Sequence, residues 1–366
     1  MKKIRVYLKR PWIFVDSPYY DYLTKNISNK IEYINIKKSQ GIIENINKFK
    51  LLNKLKRMIK LTIRNFFPFL PNAHFTLTKK KYDLIHCAHC LSLNKKPWVV
   101  DIEYVNQFWA GGIQKKQKKF ILKLLKSNYC KKILAWTEWT KKEILREFPE
   151  IKNKIEVVYP AISKQKFKKK KKKKITLLFV SRRFYFKGGL HALEVIDRLT
   201  KKYKNVNAFF ISDIPIDIKK EYSKNKKIRF IKFISKKKLF TNILPQTDIL
   251  IYPSYTDTFG FVMLEALSFG IPIVTVGGQS RREIVNNKKT GFIIKEPKNL
   301  NLKDLENLNS FKETINEIEK KTEVLIKNKK LREKMSKNCI EIIKNGKFSI
   351  KERNKKLEKI YFEALK

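Results

Sequence analysis

One feature limits the fold of this chain more than any other: short β-rich runs alternate with longer helical or polar stretches, and they do so in two successive series. The first comprises Ile4 to Leu8, Ile31 to Ile36, Asp83 to Cys87, Trp98 to Ile102, Ile133 to Trp136 and Ile155 to Val158. The second comprises Ile175 to Val180, Val206 to Ile211, Ile228 to Phe233, Ile249 to Tyr252, Ile273 to Val276 and Phe292 to Ile294. Strands separated by helical connections predict parallel sheets with crossover helices. Two series predict two α/β units in tandem, and 366 residues with a 43% apolar share suffice for a core in each.

The expected boundaries follow from charge. Residues 1–160 form the first α/β domain, and residues 161–174 a linker, since Lys168 to Lys174 is an unbroken run of seven lysines with nothing to bury. Residues 175–345 form the second domain, and residues 346–366 a terminal helix returning to the first. From Leu308 onward the pattern is helical, with Ile315, Ile318, Leu325 and Ile326 spaced for one apolar face.

The chain carries 84 Lys and Arg against 33 Asp and Glu, a formal charge of +51. Such a surplus attracts polyanions, whether lipid, nucleic acid or phosphorylated substrate. A compositional drift toward Lys, Ile, Asn and Phe accounts for the same numbers, and both readings stay open. Four cysteines, Cys87, Cys90, Cys130 and Cys339, are too few for a disulfide scaffold and point to a reducing cytoplasm. No export signal is expected, because the basic start runs into Pro11 without an apolar stretch. The least charged window, Phe259 to Gly278, is broken by glycines and Pro272, so it reads as a helix and a buried strand rather than a membrane span.

Two segments carry the chemistry. Asp248 to Ser254 begins at the end of a strand; Tyr255 to Phe261 makes a glycine-containing turn; Val262 to Leu267 lies in the helix that follows and contains Glu265, eight residues after Asp257. A strand, a glycine turn and a helix start present backbone amides and the positive helix end to a phosphate. A carboxylate further along such a helix can accept hydrogen bonds from sugar hydroxyls. Earlier, Phe179 to Gly189 follows another strand and opens another helix, with Arg182 and Lys187 five residues apart. Arg offers a fork to phosphate oxygens and Lys a point charge, which suits a diphosphate leaving group that gains negative charge.

Together these segments resemble the retaining glycosyltransferases of family four, with their Glu-x7-Glu motif and GT-B fold of two Rossmann-like domains facing a cleft. The motif here is Asp257-x7-Glu265. The resemblance implies that Glu265 holds the ribose of a nucleotide, Asp257 lies by the transferred sugar, and Arg182 and Lys187 grip the diphosphate. It also implies donor contacts from Ser181, Thr258, Phe259, Gly260 and Phe261. Gly277 to Val285 and Thr290 to Phe292 fit the family pattern downstream, and Ile133 to Lys142 and Val157 to Pro160 fit its first-domain ending; before Asp83 the resemblance is weak.

The implied function is transfer of a hexose, with retention, from a nucleotide-diphosphate sugar to a glycan or lipid-linked acceptor in cell-envelope glycan assembly. The expected setting is the cytoplasm, or the inner face of a membrane as a peripheral protein. An epimerase or hydrolase of the same fold is the nearest alternative, and a nucleic-acid-binding protein a more distant one that no motif supports. No cofactor and no metal are expected, because the basic pair can neutralise the diphosphate. His86-Cys87-Ala88-His89-Cys90 lacks a second ligand pair at zinc spacing and reads as strand-end packing. Asp101-Ile102-Glu103 is a poor match to the Asp-x-Asp metal motif of the other large transferase fold. His86 and Glu103, at first-domain strand ends, are acceptor-side candidates.

Lys48 to Phe67 is a basic amphipathic helix by spacing, with Leu52, Leu55, Ile59, Ile63 and Phe66 on one side. A helix packed on the first sheet and a helix lying on an anionic membrane share this pattern, the packed form being the favoured reading.

Overall fold

The computed structural model describes residues 3–10, 18–36, 45–110, 115–165 and 173–366. The chain divides into two compact units, residues 1–161 with 347–366, and residues 162–346. The lysine run lies largely outside the described residues.

In the first unit the strands are β1 (Ile4–Lys9), β2 (Ile31–Tyr33), β3 (Ala73–His74), β4 (Leu84–Ala88), β5 (Leu91–Ser92), β6 (Trp98–Ile102), β7 (Cys130–Ala135) and β8 (Ile155–Val157). Six form a sheet in the order β2-β1-β4-β6-β7-β8, every neighbouring pair parallel. The sequence reading missed β3 and β5, which pair with each other over two residues each, too few to show an alternation. Strands β4 and β6 are buried along their whole length, so they show no apolar-polar alternation, and His86 and Asp101 are buried within them. Ile85, Val100 and Ile133 from three adjacent strands join Ile121, Leu125, Phe108 and Phe148 in one core.

Local caps fix the helices around this sheet. The Thr137 hydroxyl accepts from the Thr140 amide to start the helix Glu138–Glu147. At the far end of Lys115–Lys126, the Lys154 ammonium donates to the carbonyls of Leu125, Lys126, Ser127 and Cys130 at 2.7–3.1 Å, a cation at the negative end of a helix. The terminal helix Ile350–Ala364, capped by Ser349, belongs to this unit. Its Arg353 donates to the carbonyls of Tyr22, Lys25 and Asn26.

The second unit contains β9 (Ile175–Val180), β10 (Val206–Ile211), β11 (Ile228–Ile231), β12 (Ile249–Tyr252), β13 (Ile273–Val276) and β14 (Gly291–Ile294). They form a second all-parallel sheet in the order β11-β10-β9-β12-β13-β14. From β9 the chain steps outward to β10 and β11, then crosses to the other side of β9 to lay down β12. The reversal puts a topological switch point between β9 and β12, where ligands bind beyond the carboxyl ends of the strands in open parallel sheets. Among the described residues no helix is long and apolar enough to cross a membrane.

The helix Ile46–Phe66 forms as its spacing predicts, with the Asn45 side chain accepting from the amides of Asn47 and Lys48. Its surroundings correct the favoured reading of a packed helix. Leu51 is 67% exposed and Phe66 74%, and Leu55, Met58 and Ile59 are exposed as well.

Candidate functional site

The loops that leave β9 and β12 are the two segments singled out from the sequence, and both flank the switch point of the second sheet. After β9, the Ser181 hydroxyl accepts from the Arg183 amide, which folds the loop back at half-buried Arg182. A single 3-10 turn, Tyr185–Lys187, ends at Gly188, whose φ of 68° is left-handed. A side chain there would bring a Cβ within 2.7 Å of the Pro253 Cβ, so glycine meets two demands at once. That close approach locks the loops together: the Ser254 amide donates to Lys187 O at 3.0 Å and the Tyr255 amide to Phe186 O at 3.1 Å.

After β12, the turn runs through Asp257 to Gly260, the N-cap of the helix Phe261–Ser268, with φ 80°. A Cβ on Gly260 would sit 3.0 Å from Asp257 Oδ2 and 2.6 Å from the Met263 methyl. The bare glycine lets the carboxylate lie against the helix start, where first-turn amides have no carbonyl of their own helix to meet. Phe259 is buried with its ring 4.8 Å from that of Phe261, and Thr258 is half-buried beside them in sequence. Glu265, in the middle of the helix, is 6% exposed.

The two segments meet in an ion pair. Lys187 Nζ lies 3.0 Å from Asp257 Oδ2 and also donates to the carbonyl of Thr256. Burial pulls the Lys187 pKa below the ordinary lysine value; the adjacent Asp257 carboxylate pushes back, and Arg281 and Arg183 add to the lowering. Asp257 Oδ2 also accepts from the Tyr252 hydroxyl at 2.7 Å. That phenol is raised well above its usual range, first by burial and then by the neighbouring carboxylate.

Sequence reasoning gave no role to three residues that complete this cluster. Gln279 Oε1 accepts from the Asp257 amide at 2.5 Å and from Arg281 at 3.2 Å. Arg281, fully buried, donates to Val276 O at 2.8 Å and Gly277 O at 2.9 Å, with Glu296 at 3.6 Å. Burial lowers its pKa, which the nearby Asp257 and Glu296 oppose. Tyr252 is the third, at the last position of β12. Gln279 and Ser254 both have positive φ, 45° and 26°, a strained backbone of the kind that clusters at ligand-binding turns. The Gly277-Gly278 doublet was the available signal for a tight turn at this place.

The acceptor-side candidates lie in the first unit. His86 is wholly buried, with Nε2 2.9 Å from Asp101 Oδ2 and Nδ1 against the Tyr361 hydroxyl. Tyr361 in turn meets the Tyr33 hydroxyl at 2.8 Å, and Tyr19 donates to Asp101. Burial drives the His86 pKa down to about 3 and that of His89 to about 3, while it raises Asp101 well above the carboxylate range. His86 thus belongs to a buried hydrogen-bonded cluster with Asp101 and Tyr361. Glu103, half-buried, holds the next loop through its backbone: its amide donates to Gln107 Oε1 and its carbonyl accepts from Thr140. Cys87 and Cys90 are buried free thiols. Among the described residues no group of three or more His, Cys, Asp or Glu is arranged to hold a metal.

Residues 161–342 match the family model described as glycosyl transferases group 1. The chain is 26% identical over 272 residues to a 41.2 kDa protein of the cps region of Klebsiella pneumoniae, and 24% identical over 249 residues to an uncharacterized glycosyltransferase of Methanocaldococcus jannaschii. These matches cover 68% and 60% of the chain, and the chain spans 66% and 63% of the length of those two curated relatives. Among solved structures, a glycosyltransferase of Rickettsia africae superposes with a TM-score of 0.62 at 16% identity, covering 100% of this chain and 99% of its own. WaaG, a glycosyltransferase involved in lipopolysaccharide biosynthesis, gives 0.58 at 13%, covering 98% and 99%, and HepE of Anabaena, solved with UDP and glucose, gives 0.59 at 12%, covering 98% of each. The chain thus has the two-sheet α/β fold of the GT-B structures it superposes on, and over residues 161–342 it is similar to glycosyl transferases group 1.

Proposed function

We propose that the protein transfers a hexose from a nucleotide-diphosphate sugar to a glycan or lipid-linked acceptor with retention of configuration, as a family-four enzyme of the Asp-x7-Glu type. One observation carries this reading: the Lys187–Asp257 pair at the switch point of the second sheet. It puts a cation and an acid from two separate loops at one place, next to a helix start. Arg182, Lys187 and the amides at Gly260 and Phe261 hold the diphosphate, Glu265 takes the ribose hydroxyls, and Asp257 orients the hexose. Ser181 shapes the phosphate loop, and Thr258, Phe259 and Phe261 shape the turn. When the glycosidic bond breaks, charge collects on the departing phosphate, where fixed cations in a water-poor site stabilise it most. That phosphate is then placed to take the acceptor proton on the same face.

Because the cations belong to the protein, the reaction needs no metal and no cofactor. The acceptor belongs to cell-envelope glycan assembly, and the enzyme works from the cytoplasm at the inner face of a membrane. HepE, the neighbour solved with UDP and glucose, supports UDP-hexoses as the first donors to test.

A thermal-shift panel of nucleotide sugars tests the donor assignment, since a specific ligand at 100 times its Kd stabilises by about 2.7 kcal/mol. At least one nucleotide-diphosphate sugar should raise the melting temperature, and Lys187→Ala should abolish the rise. A flat panel overturns the reading, and an epimerised donor formed without acceptor replaces transfer by epimerisation.

A further inference from the structure

The helix Ile46–Phe66 buries none of its described side chains fully. At 3.6 residues per turn, Leu51, Leu55, Met58, Ile59 and Phe66 fall within a wedge of about 100°. All five are exposed. The half-buried positions are Leu52, Asn53, Lys56 and Ile63, to one side of that wedge, so the helix rests on its unit by an edge and turns the apolar stripe outward. A helix kept amphipathic but seated this way leaves its hydrophobic side without cover from the described residues.

Charge selects what covers it. The helix has seven Lys and Arg and no Asp or Glu, and no acid occurs from Asn45 through Tyr82. Lys50, Lys54, Arg57 and Lys60 are exposed and spread over the arc outside the stripe. Lys48 lies in line with the stripe but at the helix start, where a long side chain can reach past apolar contacts to charge. Pairing with the same helix of a second copy would bring seven cations against seven. A nucleic acid would meet the cations and leave the leucines wet. An anionic lipid leaflet satisfies both sides: acyl chains take the stripe and headgroups the cations. Exposed Phe67, Phe69, Phe75 and Leu77 follow directly in sequence, with Lys79, Lys80 and Lys81 after them, so the same pairing of apolar and basic residues continues past the helix.

We infer that Ile46–Phe66 is a docking element that lies in the surface of an anionic membrane with Leu51, Leu55, Met58, Ile59 and Phe66 inserted. It deepens the membrane-side part of the proposed function by naming the surface and the lipid charge, and it rests on that reading only for why the enzyme should be there.

Co-sedimentation of the full chain with vesicles tests it, using phosphatidylcholine alone or equal parts phosphatidylcholine and phosphatidylglycerol. The protein should pellet with the mixed vesicles and remain mostly free with the neutral ones. Leu55→Glu with Met58→Glu should weaken binding to the mixed vesicles at least tenfold, and both sites are exposed, so far-UV circular dichroism should be unchanged. Charge reversal of Lys54 and Arg57 to Glu should weaken it similarly. Equal binding by the Leu55→Glu/Met58→Glu protein would show that the overall charge alone attracts lipid, and would overturn the assignment. So would a dimer in sedimentation velocity that this double variant abolishes while vesicle binding stays absent. No nucleotide sugar enters the experiment, so donor-binding data fail or succeed separately.

Discussion

The two units share an architecture and diverge at one place. Each has a six-stranded parallel sheet, and in each the order of strands reverses beside the first strand of the unit, between β1 and β4 and between β9 and β12. In the second unit the loops at that point hold charge: Lys187, Asp257 and Arg281 around glycine turns. In the first, His86 of β4 and Asp101 of β6 are buried and bonded with Tyr33 and Tyr361 in one network, where burial lowers the His86 pKa and raises that of Asp101. The same topology thus occurs twice, and the side chains around it differ: a charged cluster in the second unit, a hydrogen-bonded set of imidazole, carboxyl and phenol groups in the first.

The contrast is broken most sharply by activity. Arg182→Ala and Lys187→Ala should each lower turnover by about 10² to 10³ if they stabilise the departing charge, while Tyr361→Phe leaves turnover nearly unchanged. A steady-state assay in which all three behave alike would erase the functional difference between the units. Acid should then separate them by stability. All four histidines have pKa values lowered by burial, His86 and His89 to about 3 and His74 and His191 to about 4. An imidazole depressed on folding binds its proton only when the chain unfolds, so stability present above pH 6.5 is lost as pH falls toward 4. Asp101, raised by burial, acts in the opposite sense, but it is one group against three in its unit. Hydrogen exchange at pH 5 should show the first unit opening before the second.

Backbone geometry gives a smaller effect. Gly188→Ala places a Cβ on a left-handed residue against Pro253 and should cost the second unit about 1–3 kcal/mol, read by urea unfolding. In the first unit, Tyr361→Phe removes hydroxyl bonds to His86 and Tyr33 and should cost about 1–3 kcal/mol, because buried partners lose theirs. The smallest effect is a null one: EDTA should leave the transfer rate as it was, and a rate lost with EDTA and restored by a divalent ion would remove the assigned role of the two cations.

Which parts were legible in the sequence follows from how local their causes are. Strands β6, β9, β10, β12 and β13 have the bounds expected from composition, since each is a short run dominated by apolar and β-branched residues. Lys187 and Asp257 stood out because each sits at a fixed step from a strand end and a glycine. Gln279 and Arg281 did not, since their roles depend on a turn after β13 coming back to the Asp257 amide, a contact 22 residues apart. The partners of His86 were hidden for a similar reason: Tyr361 lies 275 residues away. The amphipathic helix was legible as a helix, but spacing alone does not say which side of it meets protein.

The terminal helix carries a consequence for how the chain is made. Arg353 and Tyr361 supply bonds to Tyr22, Lys25, Asn26, Tyr33 and His86, so the unit started first on the ribosome is finished last. Residues 162–346 form an uninterrupted stretch and can acquire their contacts during synthesis, as domains generally do. The earlier unit must wait with an open seam until the closing helix has emerged. A nascent chain stopped before residue 350 should therefore protect its second sheet from protease while leaving β1, β2 and β4 vulnerable.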